Sequence, residues 1–340
     1  MWSAEFQLPP DQCGDELRLW ESNMASRNFT LQRVWARQAT IGFLGATTHK
    51  IWSPFVKAFE QALRDRGWID GYNIVIEYRW AEGEEYRYAK FAKEFVDSEV
   101  DVIVTSGTNA VLAARKATKR IPIVFAAAGD PVRTKLVKTL KRPGGNVTGL
   151  SNRATTDLAG QRIDELLAVV PDMQRMAIIG NRRNRVIPLE MKKVTSGART
   201  RGIDTVIRDV RQVKDIAPAI KALKGKAPKD KVDALFVCSD PFITTHQHII
   251  HTAAAAANLP TMHAFSDYVD AGGFMSFGPD FHAMFAKAGG IVDQILRGKK
   301  PAEIPVQLQK GQQLAFNPHL ARTLGVRIPK RTRRRAKVKR

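Results

Sequence analysis

Val100–Val132 reads VDVIVTSGTNAVLAARKATKRIPIVFAAAGDPV. Two short apolar runs, Val100–Thr105 and Ile121–Ala126, flank an alanine-rich stretch, Asn109–Thr118, of helical length. Apolar strands separated by helices predict βαβ units in a parallel sheet. The crossovers of such units are right-handed, which builds a doubly wound layer.

The same rhythm extends both ways. Upstream, Ala39–Gly45 (ATIGFLG) and Asn73–Tyr78 (NIVIEY) are predicted strands. Between them Ser53–Gly67 is predicted to be a helix, with Ser53-Pro54 at its start and Phe55, Phe59, Ala62 and Leu63 on one face. Tyr86–Ser98 follows as a helix, and a short helix is expected to end at Leu136–Lys141. Downstream, helices are predicted over Thr156–Val169, Pro188–Arg201, Ala217–Lys224, Thr244–Ala257 and Pro279–Arg297. They alternate with strands at Arg175–Ile179, Thr205–Val210, Ala234–Cys238, Pro260–Ala264 and Gly272–Phe277. The fold class is therefore α/β, with two doubly wound parallel-sheet lobes. The glycine-rich Gly144–Asn152 (GGNVTGLSN) is expected to be the hinge between them. Residues 39–150 with 279–306 are assigned to lobe 1, and 151–278 with 307–329 to lobe 2. Residues 1–38 are expected to be a poorly ordered extension, and 330–340 a basic disordered tail.

The chain has 340 residues and a formal charge of +21. Lys330–Arg340 holds eight Lys and Arg and no acid, so much of the excess belongs to the C-terminus, which is expected to contact polyanions non-specifically. There are two cysteines, Cys13 and Cys238, without the spacing of a zinc site or a disulfide framework. No apolar run approaches the ~18 residues that span a bilayer, and no export signal is visible at the N-terminus. P-loop, GxGxxG, GxSxG and HExxH patterns are missing, so neither catalysis nor a metal or cofactor is expected.

Ligands of open parallel sheets bind beyond the carboxyl ends of the strands. The residues in that position are Thr47 and Thr48 after the first strand, Ser106, Thr108 and Asn109 in TSGTN, Asp130 in AAAGDPV, and Asp240 and Phe242 in SDPF. In TSGTN, hydroxyls and a glycine at a helix start suit a carboxylate or phosphate. The alternative is that Ser106 or Thr108 caps its own helix. Asp130 and Asp240 each precede a proline, as a ligand carboxylate or as an ordinary turn and N-cap pair. Phe265 and Phe277 are candidates to stack on a ligand, with core packing as the alternative.

Several stretches together resemble the ABC-transporter substrate-binding family that includes tryptophan-binding proteins. They are GWIDGYNIVIEYRWA (67–81), TSGTN (105–109), IPIVFAAAGDPV (121–132), RPGGNVTGL (142–150), SDPF (239–242), AGGFMSFGPD (271–280) and GKKPAEIPV (298–306). The resemblance implies a type I periplasmic-binding-protein fold whose lobes close on a small organic molecule, an amino acid or aromatic carboxylate. It also implies an ABC permease as partner, residence in the periplasm and no enzymatic activity. A cytoplasmic small-molecule sensor of the same fold is the competing expectation, because no export signal is visible.

Overall fold

The computed structural model describes residues 38–152, 158–225, 231–309 and 311–338. The expected N-terminal extension and Cys13 lie outside them, Gln38 apart, and so does the start of the helix predicted over Thr156–Val169.

In chain order, lobe 1 is built from β1 (Ala39–Gly45), α1 (His49–Arg64), β2 (Ile74–Trp80), α2 (Glu85–Asp97), β3 (Val102–Thr105), α3 (Thr108–Ala117), β4 (Ile123–Ala128) and β5 (Val147–Ser151). Lobe 2 follows with α4 (Ala159–Leu167), β6 (Arg175–Gly180), α5 (Ile187–Arg199), β7 (Asp204–Asp209), α6 (Val213–Lys221), β8 (Ala234–Val237), α7 (Pro241–Thr245), α8 (Gln247–Ala256), β9 (Thr261–His263), α9 (Ser266–Asp270) and β10 (Met275–Gly278). The chain then returns to lobe 1 through α10 (Phe281–Leu296) and β11 (Gln307–Leu308). It ends in lobe 2 with β12 (Gln313–Phe316), α11 (Pro318–Thr323), α12 (Lys330–Arg335) and β13 (Lys337–Val338).

The first sheet has the order β11-β5-β4-β3-β1-β2, parallel throughout. The second has the order β13-β12-β10-β9-β8-β6-β7, parallel except where β12 runs against β10. Both faces of the central strands are covered, so β3 and β4 are buried throughout and apolar except for the Thr105 hydroxyl. That hydroxyl donates to the Leu44 carbonyl at 2.8 Å. One apolar cluster fills lobe 1 and takes in α10 through Met284, Phe285, Ala288, Ile291 and Val292. Trp68 Nε1 donates to Asp293 Oδ1 at 2.9 Å, which fastens that returning helix to lobe 1. Two clusters lie on the two faces of the second sheet.

Several expectations need correction. α1 begins at His49 instead of Ser53, because the Thr48 hydroxyl accepts from Ile51 N–H and caps it; Pro54 sits inside the helix. No helix forms over Leu136–Lys141, where the chain makes turns. The presumed hinge Gly144–Asn152 contains β5, a full member of the first sheet. Gln307 and Leu308, assigned to lobe 2, pair with β5 in lobe 1. The stretch expected to be a disordered tail is folded over 330–338. Thr332 is buried beneath α12, Ala336 packs on the lobe 2 core, and β13 adds to the second sheet beside β12. A few buried contacts and one strand pairing hold this basic segment, which composition alone would leave in solvent.

Candidate functional site

The carboxyl ends of β1, β3 and β4 face those of β8 and β9 across a cavity of about 790 Å³. Lobe 1 contributes Thr47, Lys50, Trp52, Phe55, Ser106 and Gly107 among others; lobe 2 contributes Ser239, Asp240, Thr244, His248, Phe265, Asp267 and Tyr268. Asn152, Phe281 and His282 line it where the chain passes between lobes. A volume of this size suits a small organic molecule.

Local sequence sets each wall. Pro54 has no N–H to return to the Lys50 carbonyl, so α1 lacks one helical bond at the cavity edge, where both residues lie. Gly107 caps α3 with φ +94, a conformation that other residues rarely adopt, and as a glycine it offers that helix no side-chain cap. Its first-turn amide donors and positive dipole end therefore carry no N-cap side chain. Aromatic side chains form a further part of the wall. Phe55 meets Phe281 edge-on at 4.9 Å, Phe281 lies 4.6 Å from Phe265, and Tyr268 stacks on His263 at 4.9 Å.

Three residues of this lining each carry a buried polar atom with no protein hydrogen-bond partner among the described residues: Asn152 Oδ1, Ser239 Oγ and Asp267 Oδ2. The other carboxylate oxygen of Asp267 accepts from His282 Nε2 at 2.9 Å, which fixes the side chain. Each of the three accepts hydrogen bonds, and two can only accept.

The residues singled out in sequence divide into two groups. Thr47, Thr48, Ser106, Asp240 and Phe265 are brought together on the cavity. Thr108, Asn109, Asp130, Phe242 and Phe277 are not. The Thr108 hydroxyl accepts from Gly129 N–H at 3.2 Å, tying α3 to the end of β4. Neither it nor Ser106 caps α3, so the capping alternative fails as well. Asn109 donates to Glu85 at the rim. Asp130 accepts from Arg133 N–H in a turn. Phe242 and Phe277 turn into the two lobe 2 clusters. Asp240, although on the lining, has its carboxylate engaged by Asn184 Nδ2 at 2.8 Å and Ile243 N–H at 3.1 Å, the N-cap of α7. Burial pushes its carboxyl up to about 6, against the pull of those donors.

Sequence reasoning missed the group beneath the lobe 2 rim. Arg162 is fully buried; its Nε donates to the Phe277 carbonyl at 2.7 Å and Nη1 lies 3.5 Å from Glu190 Oε1. Glu190 Oε2 accepts from Ser239 N–H at 3.4 Å. The pair thus holds the ends of β8 and β10 in place below Ser239. Burial raises Glu190 to about 7 despite the guanidinium, and lowers Arg162. Nothing in the order of residues marks an arginine and a glutamate far apart in the chain as partners. Asn152 and Asp267 escaped for the same reason, while Phe55 read as part of one face of an ordinary amphipathic helix and Trp52 fell just before its predicted start.

The lobes touch beside the cavity. A Cβ added at Gly129 in lobe 1 would lie 2.9 Å from Val186 Cγ1 in lobe 2, and a small polar seam joins Asn109 and Tyr88 to Asn184 and Asp240. No cluster of histidine, cysteine and carboxylate suited to a metal occurs among the described residues, and no helix there is long and apolar enough to cross a membrane.

The profile of the ABC transporter substrate binding protein family matches residues 44–339. A tyrosine-binding protein from Clostridioides difficile is 27% identical over 288 residues, 85% of this chain and 81% of that protein. The structure of an ABC domain in complex with L-Trp from Streptococcus pneumonia superposes with TM-score 0.81 at 26% identity, covering 89% of this chain and 100% of that one. A ligand-free, open substrate-binding protein with adhesive properties from Clostridium difficile gives 0.64 at 25% identity, over 88% and 98% of the two chains.

Proposed function

The chain belongs to the ABC transporter substrate-binding protein family, and on that premise we propose that it is the receptor of an importer, closing on an aromatic L-amino acid and presenting it to a membrane permease outside the cytoplasm. The observation that carries the proposal is the meeting, at one cavity, of an aromatic wall with three lining residues whose buried acceptors, Asn152 Oδ1, Ser239 Oγ and Asp267 Oδ2, have no protein partner among the described residues. An α-ammonium has three protons to give and a positive charge for the Asp267 carboxylate. The α-carboxylate is then received by the uncapped start of α3 at Gly107, with Lys50 on the same lining. An aromatic side chain packs among Trp52, Phe55, Phe265 and Tyr268. The tyrosine and tryptophan named for two relatives are in keeping with this chemistry.

Closure is supported by the contact of Gly129 with Val186 and by the TM-scores. At nearly equal identity, this chain superposes better on the complex with L-Trp than on the open protein. A ligand held by both lobes stabilises this closed arrangement over an open one.

Calorimetric titration with L-tryptophan and L-tyrosine tests the proposal. Saturable one-to-one binding of at least one is expected, with N-acetylation abolishing it. Asp267→Asn should weaken binding by roughly 10- to 150-fold, the worth of a hydrogen bond to a charged group. Binding indifferent to both changes, or heat with neither amino acid, refutes the assignment.

A further inference from the structure

The C-terminal segment that returns to lobe 2 carries a surface the ligand cleft does not use. Between Pro318 and Lys337 stand Arg322, Arg327, Lys330, Arg331, Arg333, Arg334, Arg335 and Lys337, all exposed, with no acid among the residues of that stretch. Only Arg335 has a carboxylate partner among the described residues, Glu165 at 2.8 Å. The segment is held in place. Arg333 N–H donates to the Pro329 carbonyl, Thr332 is buried, and β13 pairs with β12. At 100° per residue, Lys330, Arg331, Arg333 and Arg334 fan over the face of α12 opposite Thr332. Like charges fixed this closely repel one another, and a partner of opposite sign relieves the repulsion.

Beside α12 lies a second cavity, about 1050 Å³, on the far side of lobe 2 from the cleft. Val169, Val232, Leu259 and Ile328 form part of its wall, and Lys330 and Arg333 stand on its lining. The stretch from Pro318 to Lys337 holds no phenylalanine, tryptophan or tyrosine on which a base would stack. Cations without stacking rings, next to apolar walls, suit a partner that carries phosphate and hydrocarbon together.

We infer that this face docks on an anionic phospholipid bilayer, with α12 on the headgroups and the adjoining cavity open to a lipid. Each basic side chain near such a surface contributes about 1 kcal/mol, so removing three of them should weaken binding about a hundred-fold.

The test is co-sedimentation of the full chain with vesicles of phosphatidylcholine alone or mixed with phosphatidylglycerol. The protein is expected to pellet only with the mixed vesicles. It should be released as ionic strength rises from about 0.1 M to about 1 M, where the Debye length shrinks from about 10 Å to about 3 Å. The triple variant R331Q/R333Q/R334Q should lose about a hundred-fold in affinity. K116Q/K119Q/R120Q, which removes three exposed charges from lobe 1, should bind within a few-fold of the unaltered chain. No pelleting with anionic vesicles overturns the inference, as does equal loss in both triple variants, which would report net charge alone. Tighter binding to a DNA duplex than to the vesicles, lost in R331Q/R333Q/R334Q, would make the face a nucleic-acid surface instead. Amino-acid affinity, measured alongside, reports on the cleft independently.

Discussion

Gly129→Ala isolates closure from every other property of the fold. Gly129 follows β4 with a backbone conformation outside the left-handed region, so alanine adopts it without strain. Its N–H keeps the Thr108 hydroxyl as partner. What the new methyl meets is the opposite lobe: Val186 Cγ1 at 2.9 Å and Cγ2 at 3.0 Å. Val186 is β-branched and has few rotamers to escape into, so the lobes must part by a few tenths of an ångström. Overpacking of this kind costs about 1–3 kcal/mol. The cost falls on the closed state alone, which becomes a loss in L-tryptophan affinity of roughly 5- to 150-fold. Calorimetry on the single variants and on G129A/V186A completes a double-mutant cycle. Removing both Cγ atoms of Val186 should return affinity to within a few-fold of the starting protein. Unchanged affinity in Gly129→Ala, or a double variant as weak as the single one, would show that binding does not require the observed contact between lobes.

Other perturbations address the parts that hold the site. Arg162→Met strands Glu190 in the lobe 2 interior without its cation, and urea unfolding should register a loss of about 3–5 kcal/mol. Glu190 is raised by burial from 4.5 in the unfolded chain to about 7 in the folded one. Its contribution is therefore fully present below the lower value and lost as pH rises through the upper one. Unfolding midpoints measured across that window should decline less in Glu190→Gln than in the unaltered protein. Truncation after Pro329 removes α12, its buried Thr332 and the pairing of β13. Thermal unfolding should then fall by roughly 2–4 °C for each kcal/mol lost, and an unchanged midpoint would mean that the segment packs too weakly to matter.

The alternation of strands and helices was legible because burial on both faces writes continuous apolar runs such as Ile123–Ala128, and amphipathic helices write a periodic face. Short elements were not. β12 (QLAF) becomes a strand because β10 offers it an edge, and the Lys337–Val338 pair because β12 offers the next one, edges created by distant residues. α1 was misplaced because Ser53-Pro54 imitates a helix start more strongly than Thr48 does. Within the site, strand-end reasoning found Thr47, Ser106 and Phe265, since their positions follow from the sheet alone. It also admitted Phe242 and Phe277, whose side chains turn into the lobe 2 clusters. Asn152 and Asp267 depend on how the chain passes between lobes and on the His282 contact, neither of which leaves a local pattern in the sequence.

If the proposed function holds, the cavity between the lobes selects an aromatic amino acid from a mixture. A native mass spectrum of the chain after incubation with an equimolar mixture of the protein amino acids tests it most directly. A single bound species per chain with the mass of tryptophan or tyrosine, missing from the Asp267→Asn variant, is the predicted result. A spectrum of unliganded chain alone, or retention of a non-aromatic amino acid in preference, would contradict it.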